Sequence, residues 1–521
     1  MAQENASNNV NHAGDNKRIA RNTLFLYIRL FITMGITVYT SRIVLEALGV
    51  VDYGIYNVVA GISYSFFFFT VALTTTTQRF LSMAEAKGDA VQMRRVFSIC
   101  LYTFTALSVL VLIVGFSAGD WLVRRFLSIP EDRVSDAVMV LFTTVAGLSI
   151  YLISPVYEAV LIAREDMKSF AYLGIMEAVA KLCVAYLVII LPHKLIMFSV
   201  LTILALVVPR LYIAHICYKR YPESHPLQYW SWKMAREIFV FSGLNIYISV
   251  TWVVVEQFVN IAINIFFGAA VNAARGVTAY VNNAIANLCL NFSSATRPQI
   301  IKSFTSGERD YAVTLTLASS RYSSYLVTVL GVPIICSAGL VLRIWLTEIP
   351  PYTEPLLQLA LVWTCFNVLH NPISDLARAT SQMRKIALIA NSIYLLVIPG
   401  TYFLFKAGLP PMAFYPVQIF IRVLVVLAMY HIIRNVTGVG TGSFIVRVLL
   451  PVSLVLSVDY MAGHLLYKFF AQNLWGLIAF CMIMVIVGSV ITYVLGLNVE
   501  EKRFVNKKVT SMLNKCFSGK C

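Results

Sequence analysis

The sequence predicts an all-α polytopic membrane protein with about 14 transmembrane helices, arranged as two parallel six-helix repeats followed by two C-terminal helices. Composition, apolar stretches and the distribution of basic residues predict this class. Of the 521 residues, 59% are hydrophobic and 13% are charged, whereas soluble domains carry about 25% charged residues. The mean hydropathy is +0.76, so lipid must cover much of the surface.

Apolar stretches follow one another along the chain, each near the roughly 20 residues that a membrane helix needs. The candidate spans are 23–46, 52–79, 96–118, 136–163, 168–191, 195–218, 237–266, 269–296, 311–339, 353–377, 385–405, 411–433, 444–466 and 474–496. The stretches 237–266 and 269–296 are the weakest. Low hydropathy in a span indicates burial in the bundle or contact with a cavity.

The loops between these spans divide the basic residues unevenly. With the N-terminus in the cytoplasm, 27 of the 41 Lys and Arg residues fall on the cytoplasmic side and 9 on the other side. The remaining five lie within spans: Arg29, Lys181, Arg210, Arg321 and Arg422. This asymmetry follows the positive-inside rule and predicts cytoplasmic termini. It also accounts for the net charge of +16 without a nucleic-acid partner.

Catalytic and metal-binding signatures do not stand out in the sequence. The nine cysteines have no paired spacing and no CxxC motif, which argues against a disulfide framework or a metal site. The longest internal loop, 219–236, is too short for a soluble catalytic domain. We therefore predict no enzyme activity, no cofactor and no metal, and a membrane-embedded glycosyltransferase or polymerase is the weakest alternative.

Three local matches recur at a nearly constant spacing. The matched pairs are "TTTQRFLSMAEAKGD" (75–89) with "SSATRPQIIKSFTSGERD" (293–310), "FLSIP" (126–130) with "WLTEIP" (345–350), and "SPVYEAVLIAREDMK" (154–168) with "NPISDLARATSQMRK" (371–385). The spacing covers six helices, an even number, so both copies have the same orientation in the membrane. This predicts two six-helix lobes related by an axis along the membrane normal.

The repeat predicts the domain organisation. We expect a cytoplasmic tail (1–21), an N-lobe of helices 1–6 (22–218), an inter-lobe linker (219–236), a C-lobe of helices 7–12 (237–434), helices 13 and 14 (435–498) and a basic cytoplasmic tail (499–521). The linker is basic and aromatic, and is expected to lie along the cytoplasmic interface.

The first 90 residues carry a more specific signal. The blocks "SRIVLEALGVVDYGIYN" (41–57) and "TTTTQRFLSMAEAKGD" (74–89), together with the two-by-six repeat and two trailing helices, resemble polysaccharide flippases. These are the O-antigen and capsule repeat-unit translocases of the multidrug/oligosaccharidyl-lipid/polysaccharide (MOP) exporter superfamily. Lipid II flippases of the same superfamily carry basic residues in a region comparable to that of Arg29 and Arg42.

The resemblance implies a V-shaped bundle around a central cavity. It also implies that the chain moves an undecaprenyl-diphosphate-linked oligosaccharide from the cytoplasmic to the periplasmic leaflet of a bacterial inner membrane. The expected mechanism is alternating access, driven by a gradient of H⁺ or Na⁺. The expected partners are this lipid-linked glycan, membrane lipids and other polysaccharide-assembly proteins. The alternative is a multidrug or metabolite cation antiporter of the same fold.

Arginine is suited to a diphosphate in low dielectric, because it stays protonated and binds phosphate with two hydrogen bonds. Arg29 lies about two turns into helix 1, where it either faces a cavity or reaches the cytoplasmic headgroups. Arg42 either pairs with Glu46 or contacts substrate. Arg275 is a candidate for the cavity rim.

Arg79 and Arg297 occupy matched places in the two repeats, at the cytoplasmic ends of their spans. Each alone is explained by contact with headgroups. As a matched pair, they are candidates for two cationic lips of a cytoplasmic gate that receives the diphosphate.

Carboxamides are concentrated on helices 7 and 8, and those proposed to contact sugar are Asn260, Asn264 and Asn283. The alternative is that they join helices by hydrogen bonds. Glu256 on helix 7 is a candidate coupling acid of an antiporter.

Helix 5 carries Glu177 and Lys181, whose i,i+4 spacing predicts a neutral ion pair, with H⁺ or Na⁺ coupling as the alternative. Pro155 and Pro372 are matched hinge candidates, because proline frees backbone carbonyls and kinks a helix. His370 and Asp459 are isolated and receive no assignment.

Overall fold

The structure, a computed structural model, describes residues 32–61, 67–86, 88–127, 129–164, 166–380, 382–438, 440–470, 472–503, 506 and 510. Arg29 and both predicted tails, apart from a few residues after helix 14, lie outside these ranges. Within them, every regular element is helical. Among the described residues, eleven helices are long and apolar enough to cross a membrane, or twelve when one bent pair is counted as a span. The chain is therefore a multi-pass membrane protein.

The helices follow one another in a simple order. They are α1 (Ile32–Gly61), α2 (Phe67–Ala86), α3 (Ala90–Phe126), α4 (Val134–Tyr151), α5 (Ser154–Ala163), α6 (Met167–Ile190), α7 (Lys194–Arg220), α8 (Trp232–Phe267), α9 (Ala269–Thr305), α10 (Arg309–Cys336), α11 (Ala338–Trp345), α12 (Thr353–Asn367), α13 (His370–Ala379), α14 (Met383–Tyr394), α15 (Val397–Lys406), α16 (Phe414–Thr437), α17 (Thr441–Phe444), α18 (Leu450–Tyr467) and α19 (Leu474–Ile491). π-Helical turns at Ile445–Leu449 and Thr492–Gly496 precede α18 and follow α19.

Helices that continue one another across a short break account for the larger number of elements. When α4 and α5, α10 and α11, α12 and α13, α14 and α15, and α17 and α18 are joined, the part of the chain that the structure describes contains fourteen segments, consistent with the prediction. Two of them, α2 and α9, are not among the helices that are long and apolar enough to cross a membrane. The pair α10–α11 bends by 74°.

The helices extend beyond the predicted spans because polar side chains cap them. The Asp89 carboxylate accepts a hydrogen bond from the Gln92 N–H at 2.8 Å and starts α3. Ser231 does the same for Met234 and starts α8 inside the predicted linker. Such caps satisfy donors that have no partner within a helix.

Glycines with positive φ occur at matched places in the two repeats. Gly49 has φ +75° but lies inside α1, which continues through the loop predicted at 47–51, whereas Gly268 has φ +82° and ends α8 immediately before α9 begins. Gly88 (φ +68°) and Gly307 (φ +93°) do the same after α2 and α9. The helix breaks before Pro155 and Pro372 also correspond. These positions agree with a repeat of about 218 residues.

The described helices pack into two compact units. The first extends to Tyr280 and includes Leu346–Pro351, and the second comprises Val281–Trp345 and the chain from Tyr352 onward. The boundary between these units falls within α9, whereas the sequence repeat places the boundary between the predicted lobes at the linker 219–236. The lobe boundaries therefore stay a prediction.

Candidate functional site

The first unit contains a polar cavity of about 390 Å³. Hydroxyl and carboxamide groups from α1, α4, α7 and α9 line it, together with one acid and one base from α6: Thr37, Thr40, Ser41, Tyr56, Asn57, Tyr151, Thr202, Tyr280, Glu177 and Lys181. The remaining lining is apolar. Ligand sites typically combine an apolar lining with a few converging polar groups, so this polar cavity is a candidate ligand site.

The charged part of the cavity wall is a network centred on Arg210 of α7. The Glu177 carboxylate accepts from Lys181 Nζ at 2.7 Å and from Arg210 Nη2 at 2.9 Å. Glu158 lies 3.9 Å from Arg210 Nε. Two acids thus balance two bases within the membrane, which lowers the cost of burying each charge.

Arg210 is held by aromatic and backbone contacts as well as by charge. Its guanidinium lies 4.0 Å from the Tyr151 ring centroid and donates to the Tyr151 hydroxyl at 3.0 Å. Its Nη1 donates to the Leu206 carbonyl at 2.9 Å. Arg210 is only 9% exposed, whereas the Lys181 side chain is 42% exposed. Lys181 is therefore the cation that the network presents to the cavity.

The Glu177–Lys181 pair predicted from spacing is present. The sequence identifies Arg210 only as a cation within a span, because its contact with Glu177 depends on how α6 and α7 pack. No local sequence spacing could have indicated it. Tyr151 was missed for the same reason.

An apolar groove of about 560 Å³ lies on another face of the same two helices. Side chains of α6 (Tyr172, Ile175, Met176, Val179, Ala180, Cys183 and Val184) and of α7 (Leu201, Leu204, Ala205, Val208 and Pro209) line it. Glu177 and Lys181 turn to the polar cavity and their neighbours on α6 turn to the groove, because adjacent residues of a helix project about 100° apart. The α6–α7 pair thus borders a polar and an apolar space.

The carboxamides of α8 and α9 join helices within the first unit. The Asn260 amide donates to the Asn57 carbonyl at 3.3 Å. With its amide oriented as the neighbours require, Asn272 donates to Asn260 Oδ1 at 2.7 Å. Asn260, Asn264 and Asn272 are all buried. In this conformation, their contacts are those of helix-joining groups, and contact with sugar stays a prediction.

Close backbone approach makes these contacts possible. A Cβ at Gly54 would lie 1.9 Å from the Ala269 carbonyl oxygen, and one at Gly276 would lie 2.6 Å from the Asn57 amide. Only glycine allows such proximity.

Arg275 and Glu256, predicted separately as a rim cation and a coupling acid, form an ion pair. Arg275 Nη2 lies 2.6 Å from Glu256 Oε2, and both side chains are partly buried. In the second unit, Arg297 Nε donates to the buried Asp375 at 2.8 Å, and Arg378 lies 3.9 Å from the same oxygen. A role for either arginine in binding diphosphate would require exchange of this partner.

The other residues predicted for the site do not line the polar cavity. Arg42 is half-buried on α1, and Asn283 is exposed on α9. Arg79 lies on α2, but its side chain is outside the described residues. Pro155 and Pro372 lie in the first turns of α5 and α13, immediately after the breaks in their spans. No group of three metal-binding side chains occurs among the residues that the structure describes.

No family model and no curated protein matches the chain. Solved structures do. The chain is similar to the lipid II flippase MurJ in an inward closed conformation, with a TM-score of 0.68 and 13% identity over 90% of this chain and 99% of that one. It is also similar to an inward-facing multidrug resistance MATE transporter of the MOP superfamily, with a TM-score of 0.65 and 14% identity over 79% and 94% of the two chains.

A third similar structure is a MOP superfamily transporter from Pyrococcus furiosus whose binding pocket has reverse polarity. Its TM-score is 0.61, with 15% identity over 81% of this chain and 96% of that one. At these identities, the similarity concerns the fold. The chain has the fold of MOP superfamily transporters, and the proteins that share it here are transporters and a flippase rather than enzymes.

Proposed function

We propose that the chain is a flippase that moves an undecaprenyl-diphosphate-linked oligosaccharide repeat unit across a bacterial inner membrane. Transport runs from the cytoplasmic to the periplasmic leaflet by alternating access, and both termini are cytoplasmic. One observation carries the proposal. The α6–α7 pair has a polar cavity with the Lys181 ammonium on one face and an apolar groove on another.

A lipid-linked glycan needs these two environments at once. Hydroxyls and amides such as Thr37, Ser41 and Asn57 replace the water that hydrogen-bonds a sugar. Lys181 attracts the diphosphate, and Arg29, Arg42, Arg79, Arg275 and Arg297 are proposed to receive it along the path. The prenyl chain occupies the apolar groove, which adjoins the cavity through α6 and α7.

Ion coupling is assigned to the acids that pair with these cations. When Glu177 binds H⁺ or Na⁺, its hold on Lys181 and Arg210 weakens, so substrate and coupling ion compete for the same network. Glu256 has the same relation to Arg275. Pro155 and Pro372 are the proposed hinges.

Reconstituted vesicles with leaflet-resolved detection of undecaprenyl-diphosphate glycan test this function. Lys181→Gln is expected to lower the initial flipping rate by about tenfold or more, because a charge-assisted contact is lost in a low-dielectric site. Lys194→Gln, at the exposed start of α7, should transport like the wild type. Equal rates for Lys181→Gln and the wild type would contradict the proposal.

The alternative, a multidrug or metabolite cation antiporter, is favoured by one observation, the presence of Glu177 in the wall of the same cavity. A cationic substrate would depend on Glu177 and be repelled by Lys181. In that case, Lys181→Gln would retain or raise extrusion of an organic cation such as ethidium, and the wild type would not flip the glycan.

A further inference from the structure

Asp459, in the middle of α18, is a buried acid that the proposed transport path does not use. Its residue exposure is 0%, and neither carboxyl oxygen has a hydrogen-bond partner. No ion pair involves it in the part of the chain that the structure describes. The in-span acids Glu177, Glu256 and Asp375, in contrast, each contact a base within 3 Å.

The packing around Asp459 closes it off from solvent. A Cβ at Gly488 of α19 would lie 3.0 Å from its Oδ2 and 3.1 Å from its Oδ1, so the backbone of α19 covers the carboxyl group. Gly463, one turn further along α18, is in turn covered by Cys336 of α10 and Met484 of α19. A bare carboxylate is not stable in such an enclosure, because burial without a partner strongly disfavours the charged form.

The groups around Asp459 that the structure describes supply no counter-charge. Arg321 of α10 is paired with Glu501, at 2.5 Å, and Arg447 in the π-helical turn is exposed. The titratable side chains in the cluster between α10, α18 and α19 are thiols and a phenol: Cys336, Cys481 and Tyr467. The Tyr467 hydroxyl instead donates to Gln472 Oε1, at 2.9 Å.

We propose that Asp459 is a proton-binding site that controls the packing of α18 and α19 against α10. It carries a proton while the three helices are in contact. When α18 and α19 separate, water reaches the carboxyl group, the O–H bond breaks and the proton passes to water. The remaining carboxylate then opposes repacking until it is protonated again. The site lies outside both predicted six-helix lobes and does not depend on the identity of the transported substrate.

Infrared difference spectroscopy of the full-length protein in lipid nanodiscs tests the protonation state directly. A protonated carboxyl group has a C=O stretch that is separate from the amide bands and shifts in D₂O. We expect such a band at neutral pH in the wild type and its loss in Asp459→Asn, which is nearly isosteric. Asp375→Asn is the matched control: Asp375 is 1% exposed but paired with Arg297, so its removal should leave the band unchanged. An unchanged band in Asp459→Asn would overturn the proposal.

Labelling of Cys336 tests the effect on packing. Its Sγ lies 3.8 Å from the Tyr460 carbonyl oxygen, between α10 and α18. Raising the pH should increase its modification by a membrane-permeant maleimide more in the wild type than in Asp459→Asn, by several-fold after normalisation to Cys183. Cys183 is exposed and remote in sequence. An equal increase in both proteins would mean that Asp459 does not control this packing.

Discussion

At the scale of single residues, several charges within the spans are compensated by partners on the same helix or on another one. Sequence spacing could predict Glu177–Lys181, because residues four apart on one helix are neighbours whatever the tertiary structure. It could not predict Arg297–Asp375, which are 78 residues apart, because that contact depends on how helices pack. The sequence therefore identifies the individual charged residues, but it does not identify most of the ion pairs that they form.

Arg210 is expected to stabilise the fold as well as the cavity. Arg210→Met removes the base that contacts both Glu177 and Glu158 and leaves the partly exposed Lys181 beside Glu177. Breaking a buried pair by removing one partner typically costs about 3–5 kcal/mol. We expect a clear fall in the melting temperature of the purified protein in detergent.

Two variants control this measurement. Arg124→Gln removes an ion pair with Asp120 whose side chains are 56% and 48% exposed, and such surface pairs contribute about 0–1 kcal/mol. The double variant Glu177→Gln/Arg210→Met should recover part of the lost melting temperature. It has no buried carboxylate at position 177 that needs a basic partner. A melting temperature for Arg210→Met equal to that of Arg124→Gln would show that the network does not stabilise the fold.

At the scale of the helix, the two matched prolines mark breaks rather than bends. Each has no N–H to donate and lies in the first turn of its helix, where no such donor is needed. Pro155→Ala restores an N–H that can bond the Tyr151 carbonyl and extend α4 into α5. We expect a correctly folded protein with a several-fold lower rate of flipping and unchanged substrate binding.

Pro372→Ala should behave in the same way in the second repeat. Pro222→Ala is the control, because Pro222 is exposed and begins a short 3₁₀ turn outside the spans. If Pro155→Ala and Pro372→Ala both flip glycan at the wild-type rate, these breaks are not hinges.

The start of α6 is expected to show a defined dependence on pH. Burial raises the pKa of Asp166, but hydrogen bonds from Ser169 and Tyr221 and the charge of Arg220 outweigh it and hold the pKa below its ordinary 3.8. A lowered pKa in the folded state means that Asp166 stabilises above the unfolded pKa, and that this stabilisation is lost as pH falls through the folded value.

Asp166→Ala should therefore lower the melting temperature at pH 7, in line with about 0.5–2 kcal/mol for loss of an N-cap. The difference from the wild type should shrink below about pH 4, since only the ionised carboxylate gains the full stabilisation. A pH-independent difference in melting temperature would mean that the charge on Asp166 contributes nothing.

At the scale of the whole molecule, the order and number of spans followed from hydropathy and loop charge, because lipid imposes them directly on the sequence. The lengths of the helices did not follow. α3 and α9 each have 37 residues, about 55 Å at 1.5 Å per residue, and extend well beyond a bilayer core of about 30 Å. The 74° bend after α10 was likewise unpredicted, although Pro333 lies in the last turn of α10, immediately before it.

The spans that most need a direct test are α2 and α9, which are not apolar enough to be identified by composition. The predicted orientation requires both to cross the membrane, since the residues near Gly49 and Gly268 and the basic segments near Gly88 and Gly307 are predicted on opposite sides. Hydrogen bonds within the protein can satisfy the polar side chains of such a span. Asn282 of α9, for example, accepts a hydrogen bond from the Thr364 hydroxyl.

Single cysteines in a cysteine-free background report the two crossings through labelling with a membrane-impermeant maleimide. Cysteine at Val51 and at Ala270 should react in intact spheroplasts, whereas cysteine at Val91 and at Ser306 should react only in inverted vesicles. Cysteines at Lys194 and Lys219, at opposite ends of the strongly apolar α7, provide the reference for each side. If Val51→Cys and Val91→Cys were labelled from the same side, α2 would not cross the membrane. Every predicted loop after α2 would then lie on the opposite side, so most basic residues would be outside the cytoplasm. The positive-inside rule and the 27-to-9 charge asymmetry oppose that arrangement.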